Sequence, residues 1–178
     1  IELELSLTNQ QKNLTQREAD IAIRIGDSPP EHLVGRKVVC VKYALYASSE
    51  LLKTLGNTLP YDQYPWLAYD RKLGAKVTES WMFKHARKAK IICYVDTLQL
   101  LHEGIRAGMG IQFLPCIIGD SDPLLKRLRP VEEDFGSDLW LLTHPNLRNI
   151  ARVKAFIDFI TKIFIEHKDQ FEGVIEES

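Results

Sequence analysis

The sequence predicts an α/β fold of two lobes joined by two crossover β segments. Three observations predict it. Strand-like and helix-like stretches alternate along all 178 residues, which implies parallel sheets covered by helices on both faces. One stretch, 91–114, has the complete layout of strand, helix and second strand. Of two further β-rich runs, 37–47 and 138–144, the first is too long for the usual strand of about five or six residues in a compact lobe. Such length is used where a strand leaves one lobe and enters another. Residues 1–41 with 137–178 are therefore expected to form lobe I, and 42–136 lobe II.

The elements follow in order. Ile1, Leu3, Leu5 and Leu7 alternate with Glu2, Glu4 and Ser6, the pattern of a half-buried strand. A polar stretch at 10–18 reads as a helix, and Asp20 to Ile25 as a buried strand ended by Gly26, before the break Gly26-Asp27-Ser28-Pro29-Pro30. After the long run from Lys37 to Ala47, Ser48 caps a helix through Leu55, which Gly56 stops. Pro65 to Tyr69 is a strand, followed by an irregular, basic segment through Lys90. The strand Ile91 to Val95 leads into a helix from Asp96 to Ala107. Asp96 and Gln99 have capping-box spacing there, and Gly108 stands where a left-handed stop is wanted. The strand from Gly110 to Leu114 ends at Pro115. A helix near Pro123 to Leu128 and a strand from Leu139 to Thr143 come next. In the last helix Ile150, Val153, Phe156, Ile157, Ile160, Ile163 and Phe164 recur at intervals of three and four, so its apolar stripe belongs on a sheet.

Composition narrows the function. With 23 Lys+Arg against 24 Asp+Glu, the net charge of -1 supplies no global field toward a polyanion or an acidic membrane. Apolar runs such as Ile91 to Val95 fall far short of the roughly 20 residues a spanning helix needs. Cys40, Cys93 and Cys116 are odd in number and scattered among apolar residues. They read as buried, reduced thiols of a cytoplasmic protein, with neither disulfide framework nor metal site. The chain opens at Ile1 inside a strand pattern, with no initiator Met and no signal-peptide layout, and is expected to be a fragment of a longer protein.

Several stretches, in this order, resemble the effector-binding domain of LysR-type transcriptional regulators. They are Glu18-Ala19-Asp20-Ile21-Ala22-Ile23-Arg24-Ile25-Gly26, Leu33-Val34-Gly35-Arg36-Lys37-Val38, and Leu45-Tyr46-Ala47-Ser48. Further on come the run from Gly104 to Pro115, Leu139-Trp140-Leu141-Leu142-Thr143-His144-Pro145, and Ala151-Arg152-Val153-Lys154-Ala155-Phe156. Each is weak alone, but together they cover nearly the whole chain. The resemblance implies two Rossmann-like lobes in the periplasmic-binding-protein-like (type 2) arrangement. It also implies a small-molecule effector in the interlobe cleft, a homodimer or tetramer, and DNA contact only through an N-terminal helix-turn-helix absent here. Against the family pattern, the first strand and first helix of lobe I are expected to be missing too.

Residues at strand ends facing the expected cleft are the candidate effector contacts: Thr8, Asn9, Arg24, Gly26, Ser48, Val95, Thr97 and Phe113, with Asp27, Ala47 and Asp96 beside them. Helix N-termini at Ser48 and Thr97 suit a carboxylate or another anion, so the expected ligand is a small organic acid or similar polar metabolite. Ser48 and Asp96 also read as plain helix caps, and Arg24 equally as a structural partner for Asp20 or Asp27. No catalytic residue, cofactor or metal is expected. Gly104, Gly108 and Gly110 follow a helix instead of opening one, and His144 lacks any nucleophile motif. The basic run Lys84-His85-Ala86-Arg87-Lys88-Ala89-Lys90 has no interleaved aromatics and reads as a solvated surface. The rival to a regulator's sensor is a periplasmic solute-binding component of a transporter, which has the same two-lobed plan.

Overall fold

The computed structural model describes residues 2–7, 14, 18–26, 28–70, 76–131 and 135–174. The chain forms two compact units, residues 1–41 with 136–178 (unit 1) and 42–135 (unit 2). One strand belongs to both: β2, Val34–Ser48, is 15 residues long and passes from unit 1 into unit 2.

In unit 1, β1 (Ile21–Ile25) pairs antiparallel with β7 (Gly136–Thr143), and β7 lies between β1 and β2. Val39, Val41, Leu139, Leu141 and Leu142 are buried there. β1 is less buried than its apolar sequence predicts, because Ile23 and Ile25 remain 46% exposed. Two side chains tie the β1 and β7 segments together. Trp140 Nε1 donates to the Gly26 carbonyl at 3.2 Å, and Thr143 Oγ1 to that of Asp20 at 2.8 Å. The expected stripe appears on α5 (Ala151–Glu166), where Val153 is buried and Phe156, Ile157, Ile160, Ile163 and Phe164 are half-buried. A second short helix, α6 (Lys168–Glu172), packs Phe171 edge-on against Phe164, with ring centroids 5.4 Å apart.

Unit 2 is built on a sheet whose centre is the second half of β2. β5 (Gln112–Pro115) and β6 (Leu125–Arg127) both pair antiparallel with it. β3 (Pro65–Tyr69) and β4 (Lys90–Val95) pair parallel, and Trp66 bridges in parallel to Ile111 at the entry to β5. Side chains alternate along each strand, so the sheet buries two clusters. Leu45, Ala47, Trp66 and Phe113 join Trp81 of α2 (Lys76–His85) and, partly buried, Leu51, Leu52 and Leu55 of α1 (Ser49–Leu55). Ala44, Tyr46, Leu67 and Leu114 join Leu101 and Ile105 of α3 (Leu98–Arg106) and Cys116 of α4 (Cys116–Gly119).

Several expectations need correction. The sheets are mixed rather than parallel, because β2 runs against β5 and β6. Residues 2–7 form no strand, and Leu3, Leu5 and Leu7 are 58%, 83% and 92% exposed. Alternation specifies a strand only where a ladder and a core receive it. The expected helix at 10–18 lies mostly outside the described residues. The segment expected to be irregular up to Lys90 contains α2, and the helix expected near Pro123 to Leu128 is β6, drawn into extension by pairing with Tyr46, Ala47 and Ser48. Thr97, not Asp96, caps α3, its Oγ1 accepting from Leu100 N at 3.2 Å. Among the thiols only Cys116 is fully buried, Cys40 and Cys93 being half-buried.

Two glycines after α3 serve different geometries. Gly108, at φ +76°, closes a Schellman stop in which Met109 N donates to Gly104 O and Gly108 N to Ile105 O. A Cβ on Gly110 would stand 2.6 Å from the Pro65 carbonyl oxygen, so β3 approaches it backbone to backbone. Gly108→Ala should cost about 1–2 kcal/mol of left-handed strain. Gly110→Ala should cost at least as much, about 1–3 kcal/mol of overpacking or more, because a carbonyl cannot swing aside like a side chain. Urea unfolding curves of both variants check this order.

The Tyr46 hydroxyl donates to Asp120 Oδ1 at 2.8 Å, and Arg127 closes on the same carboxylate through Nε at 2.7 Å and through its second nitrogen. Burial, foremost, pushes the Tyr46 hydroxyl well above the ordinary tyrosine range, with the neighbouring Cys116 and Asp120 adding and Arg127 opposing. A raised folded-state value means that stability is complete below the unfolded tyrosine value, about 10, and is lost as pH rises beyond it. Unfolding free energy should therefore fall above about pH 10. Tyr46→Phe should flatten that alkaline loss while costing about 1 kcal/mol at neutral pH for the hydrogen bond. An unchanged alkaline slope in the variant would exclude Tyr46 as its source.

Candidate functional site

Strand direction fixes which ends of the unit 2 elements lie together. β3, β4 and the entry to β5 run in parallel, with Tyr69 opposite Val95, so Tyr69, Val95 and Pro115 end at one edge. Because β2 is antiparallel to β5, with Tyr43 opposite Pro115, the start of its unit 2 half reaches the same edge. There the chain also leaves the unit, since Tyr43 N donates to Phe135 O at 3.2 Å. Carboxyl ends of parallel strands are where open α/β sheets bind ligands.

This edge carries Val95 and, two residues on, Thr97 at the N-terminus of α3. Both are half-buried. The Thr97 hydroxyl satisfies one of the amide groups that the first turn of a helix leaves unpaired within itself, and the others carry the positive end of the helix dipole. The Asp70 backbone N–H donates to Val95 O at 2.7 Å, which fixes the end of β4 beside the end of β3. The edge also brings two phenols that sequence reasoning did not single out, Tyr43 and Tyr69. Burial, then the proximity of Tyr43, holds the Tyr69 hydroxyl above its ordinary range, so Tyr69 is a neutral group here. The signal for them lay in register: both are polar-tipped residues at the end of a strand segment that reaches this edge.

Not all candidates gather here. Ser48 lies at the opposite edge, with Leu125 across from it and the Gly108 stop beside it. It is buried, and its Oγ accepts from Leu51 N at 3.1 Å, a plain helix cap. The two helix N-termini expected to share one crevice, at Ser48 and Thr97, thus stand at opposite edges of the sheet. Phe113 is core, its ring 4.5 Å from Phe135 and 5.0 Å from Trp81. In unit 1, Arg24 is half-buried in β1 opposite Trp140. Gly26 follows it where β7 begins, its N–H donating to Asp138 O at 3.0 Å. Thr8, Asn9 and Asp27 lie outside the described residues.

Other chemistry finds little footing. His144 Nδ1 accepts from the backbone of Asn146 at 3.3 Å, closing its own turn. Among the described residues no group of three or more His, Cys, Asp or Glu is placed to hold a metal ion, and no helix is long and apolar enough to cross a membrane.

Known proteins agree on the fold. In the search of curated proteins, an HTH-type transcriptional regulator of Xanthomonas campestris pv. campestris (strain 8004) is 33% identical over 63 residues, 35% of this chain and 18% of that protein's length. The chain therefore matches less than a fifth of this relative. The regulatory domain of CrgA, a LysR-type transcriptional regulator from Neisseria meningitidis, superposes with a TM-score of 0.70 at 20% identity, over 85% of this chain and 78% of that one. The AmpR effector binding domain from Citrobacter freundii gives 0.74 at 16% identity, over 93% and 84%. The Synechocystis PCC6803 CcmR regulatory domain, solved in complex with 2-PG, gives 0.63 at 14% identity, over 84% and 76%. The fold is the periplasmic-binding-protein-like (type 2) arrangement of these domains. The family description "LysR substrate binding domain" matches residues 1–164, and this chain belongs to that family.

Proposed function

We propose that the chain is the effector-sensing part of a cytoplasmic LysR-type regulator, a sensor and not a catalyst, and that units 1 and 2 are its two lobes. Its ligand is a small organic acid or similar polar metabolite in the interlobe cleft, and sequence-specific DNA contact belongs to a helix-turn-helix outside these residues. The observation that carries this reading is the unit 2 edge, where three strand ends and the Thr97-capped start of α3 meet beside the exit of the chain. A relative's regulatory domain takes a small ligand, 2-PG, which supports the size class. Arg24 and Gly26 of unit 1 complete the proposed contact set with Val95 and Thr97, joined by Tyr43 and Tyr69. Ser48 and Phe113 are left out of it, the first as a cap and the second as core.

The test is a thermal-shift screen of carboxylates, amino acids and 2-PG, followed by calorimetry on the best binder. A ligand at a hundred times its Kd adds about 2.7 kcal/mol, a rise of about 5–10 °C for a chain of this size. Thr97→Ala should cost about 1 kcal/mol in the free protein through the lost cap and weaken ligand binding, whereas Thr97→Ser should preserve both. Arg24→Ala should weaken an acid ligand without affecting the cap. A screen without any shift, or unchanged affinity in both Thr97→Ala and Arg24→Ala, would count against this site.

Assembly with further copies, as a homodimer or tetramer, belongs to the same proposal. Ile92 and Tyr94 of β4 are 45% and 54% exposed, as is Leu100 of α3 at 54%, leaving an apolar face on a strand that pairs only with β3 among the described residues. Sedimentation of Ile92→Lys with Tyr94→Lys should show a smaller species than the parent chain; identical sedimentation would place the contact elsewhere.

A further inference from the structure

The sequence segregates its cations. Residues 71–90 hold seven Lys and Arg and a single Glu, in a chain that otherwise carries an excess of acid. The structure shows how part of this segment is displayed. Trp81 and Ala86 are buried, and Trp81 is locked among Trp66 at 6.0 Å, Phe113 at 5.0 Å and the Arg129 guanidinium at 5.0 Å. The residues between and after these anchors face outward: Phe83, Lys84, His85, Arg87, Lys88 and Lys90 are all exposed. Phe83, adjacent to the run that otherwise lacks aromatics, is 64% exposed, and the Arg87 guanidinium lies 4.5 Å from its ring centre. That contact presents Arg87 along the surface instead of leaving it to wander.

Clustering separates this face from the rest of the surface: no other seven-residue stretch of the sequence carries four Lys and Arg, as 84–90 does. Elsewhere some exposed cations meet carboxylates, as Lys37 does with Asp138, Lys53 with Glu50 and Lys168 with Glu172, while others, such as Lys126 and Lys154, are exposed without an ion pair among the described residues. Among the described residues, no carboxylate comes within ion-pair distance of Lys84, Arg87, Lys88 or Lys90. The face also leads into the start of β4, at the sheet edge opposite to Tyr69, Val95 and Thr97. A partner held here leaves the carboxyl edge free.

We propose that the outward face of residues 83–90 docks on the phosphate backbone of duplex DNA. Four unpaired cations on a fixed base match a dense line of phosphates. At about 0.1 M salt fields decay over about 10 Å, so a phosphate seated on this face responds to these cations more than to distant charges of the chain. The choice of duplex DNA among polyanions rests on reading the chain as part of a DNA-bound regulator.

The experiment is fluorescence anisotropy of the 178-residue chain with a labelled 30-base-pair duplex of arbitrary sequence between 50 and 200 mM NaCl. Four phosphate contacts should give a log–log salt slope of about -3 to -4. Lys84→Glu with Arg87→Glu and Lys88→Glu should lose at least tenfold in affinity and flatten the slope. The same change in net charge at Lys53→Glu, Lys126→Glu and Lys154→Glu should shift affinity less than threefold. Thermal melts confirm folding; where the triple reversal melts early, Lys84→Gln with Lys88→Gln should still lose about half of the slope. Absence of binding at 50 mM, equal losses in both triple variants, or tighter binding to phosphatidylglycerol vesicles or polyglutamate would overturn the proposal. DNA binding without any metabolite shift would keep it and overturn the sensor reading, and a metabolite shift without DNA binding would do the reverse.

Discussion

The unit 2 half of β2 is the constraint on which the rest of that unit depends. It is flanked by β5 and β6 and buried on both faces, so each side chain from Tyr43 to Ala47 is committed to one of two clusters. A slip of one residue would exchange Leu45 and Ala47 for Ala44 and Tyr46, putting a tyrosine where the aromatic cluster of Trp66, Trp81 and Phe113 is packed. It would also break the contact of Tyr46 with Asp120 and Arg127. That trio is tolerable in a partly buried setting because the carboxylate receives the guanidinium and the phenol together, leaving neither charge alone. It pins the turn after α4 to the central strand, and β6 follows.

Register then decides what each edge of the sheet can do. Fixing Tyr43 opposite Pro115 and Tyr69 opposite Val95 collects strand ends, a helix start and two phenols at one edge. Fixing Ser48 opposite Leu125, and Lys90 opposite Pro65, collects the other strand ends with α1 and the close approach of Gly110. α3 spans the two, beginning at Thr97 on the first edge and ending at the Gly108 stop beside Ser48 on the second. It therefore forms a rigid link between the proposed ligand edge and the far side of its own unit.

Much of this was legible in the sequence because local and tertiary forces agree there. The βαβ layout around 91–114, the cap at Ser48, the stop at Gly108 and the stripe on α5 are places where propensity, capping and burial point the same way. The failures have particular causes. β6 is a strand because Leu125 to Arg127 meets the free side of β2, a partner that no local pattern announces. α2 was not legible because its sequence shows no regular apolar stripe: among its described side chains Trp81 is buried and Met82 partly so, while Phe83, Lys84 and His85 are exposed. Thr97 displaced Asp96 as cap because the helix begins one residue later than the acidic spacing implied. Residues 2–7 show the opposite failure, a strong alternation with no core to receive it. The candidate site was half legible for a related reason: strand ends can be read from sequence, but which end faces which edge depends on pairing direction, and that separated Ser48 from Thr97.

Net charge is a further case in which a global number hides a local fact. A balance of -1 excludes attraction between the chain as a whole and a polyanion only when its charges are mixed on the scale of the screening length. Here they are not evenly mixed, because residues 84–90 hold four Lys and Arg and no acid, and among the described residues no ion pair engages those four cations, whereas Asp138, Glu50 and Glu172 are engaged in pairs of their own. Mixing depends on folding as much as on composition: Trp81 and Ala86, by burying themselves, turn a run of cations into a face.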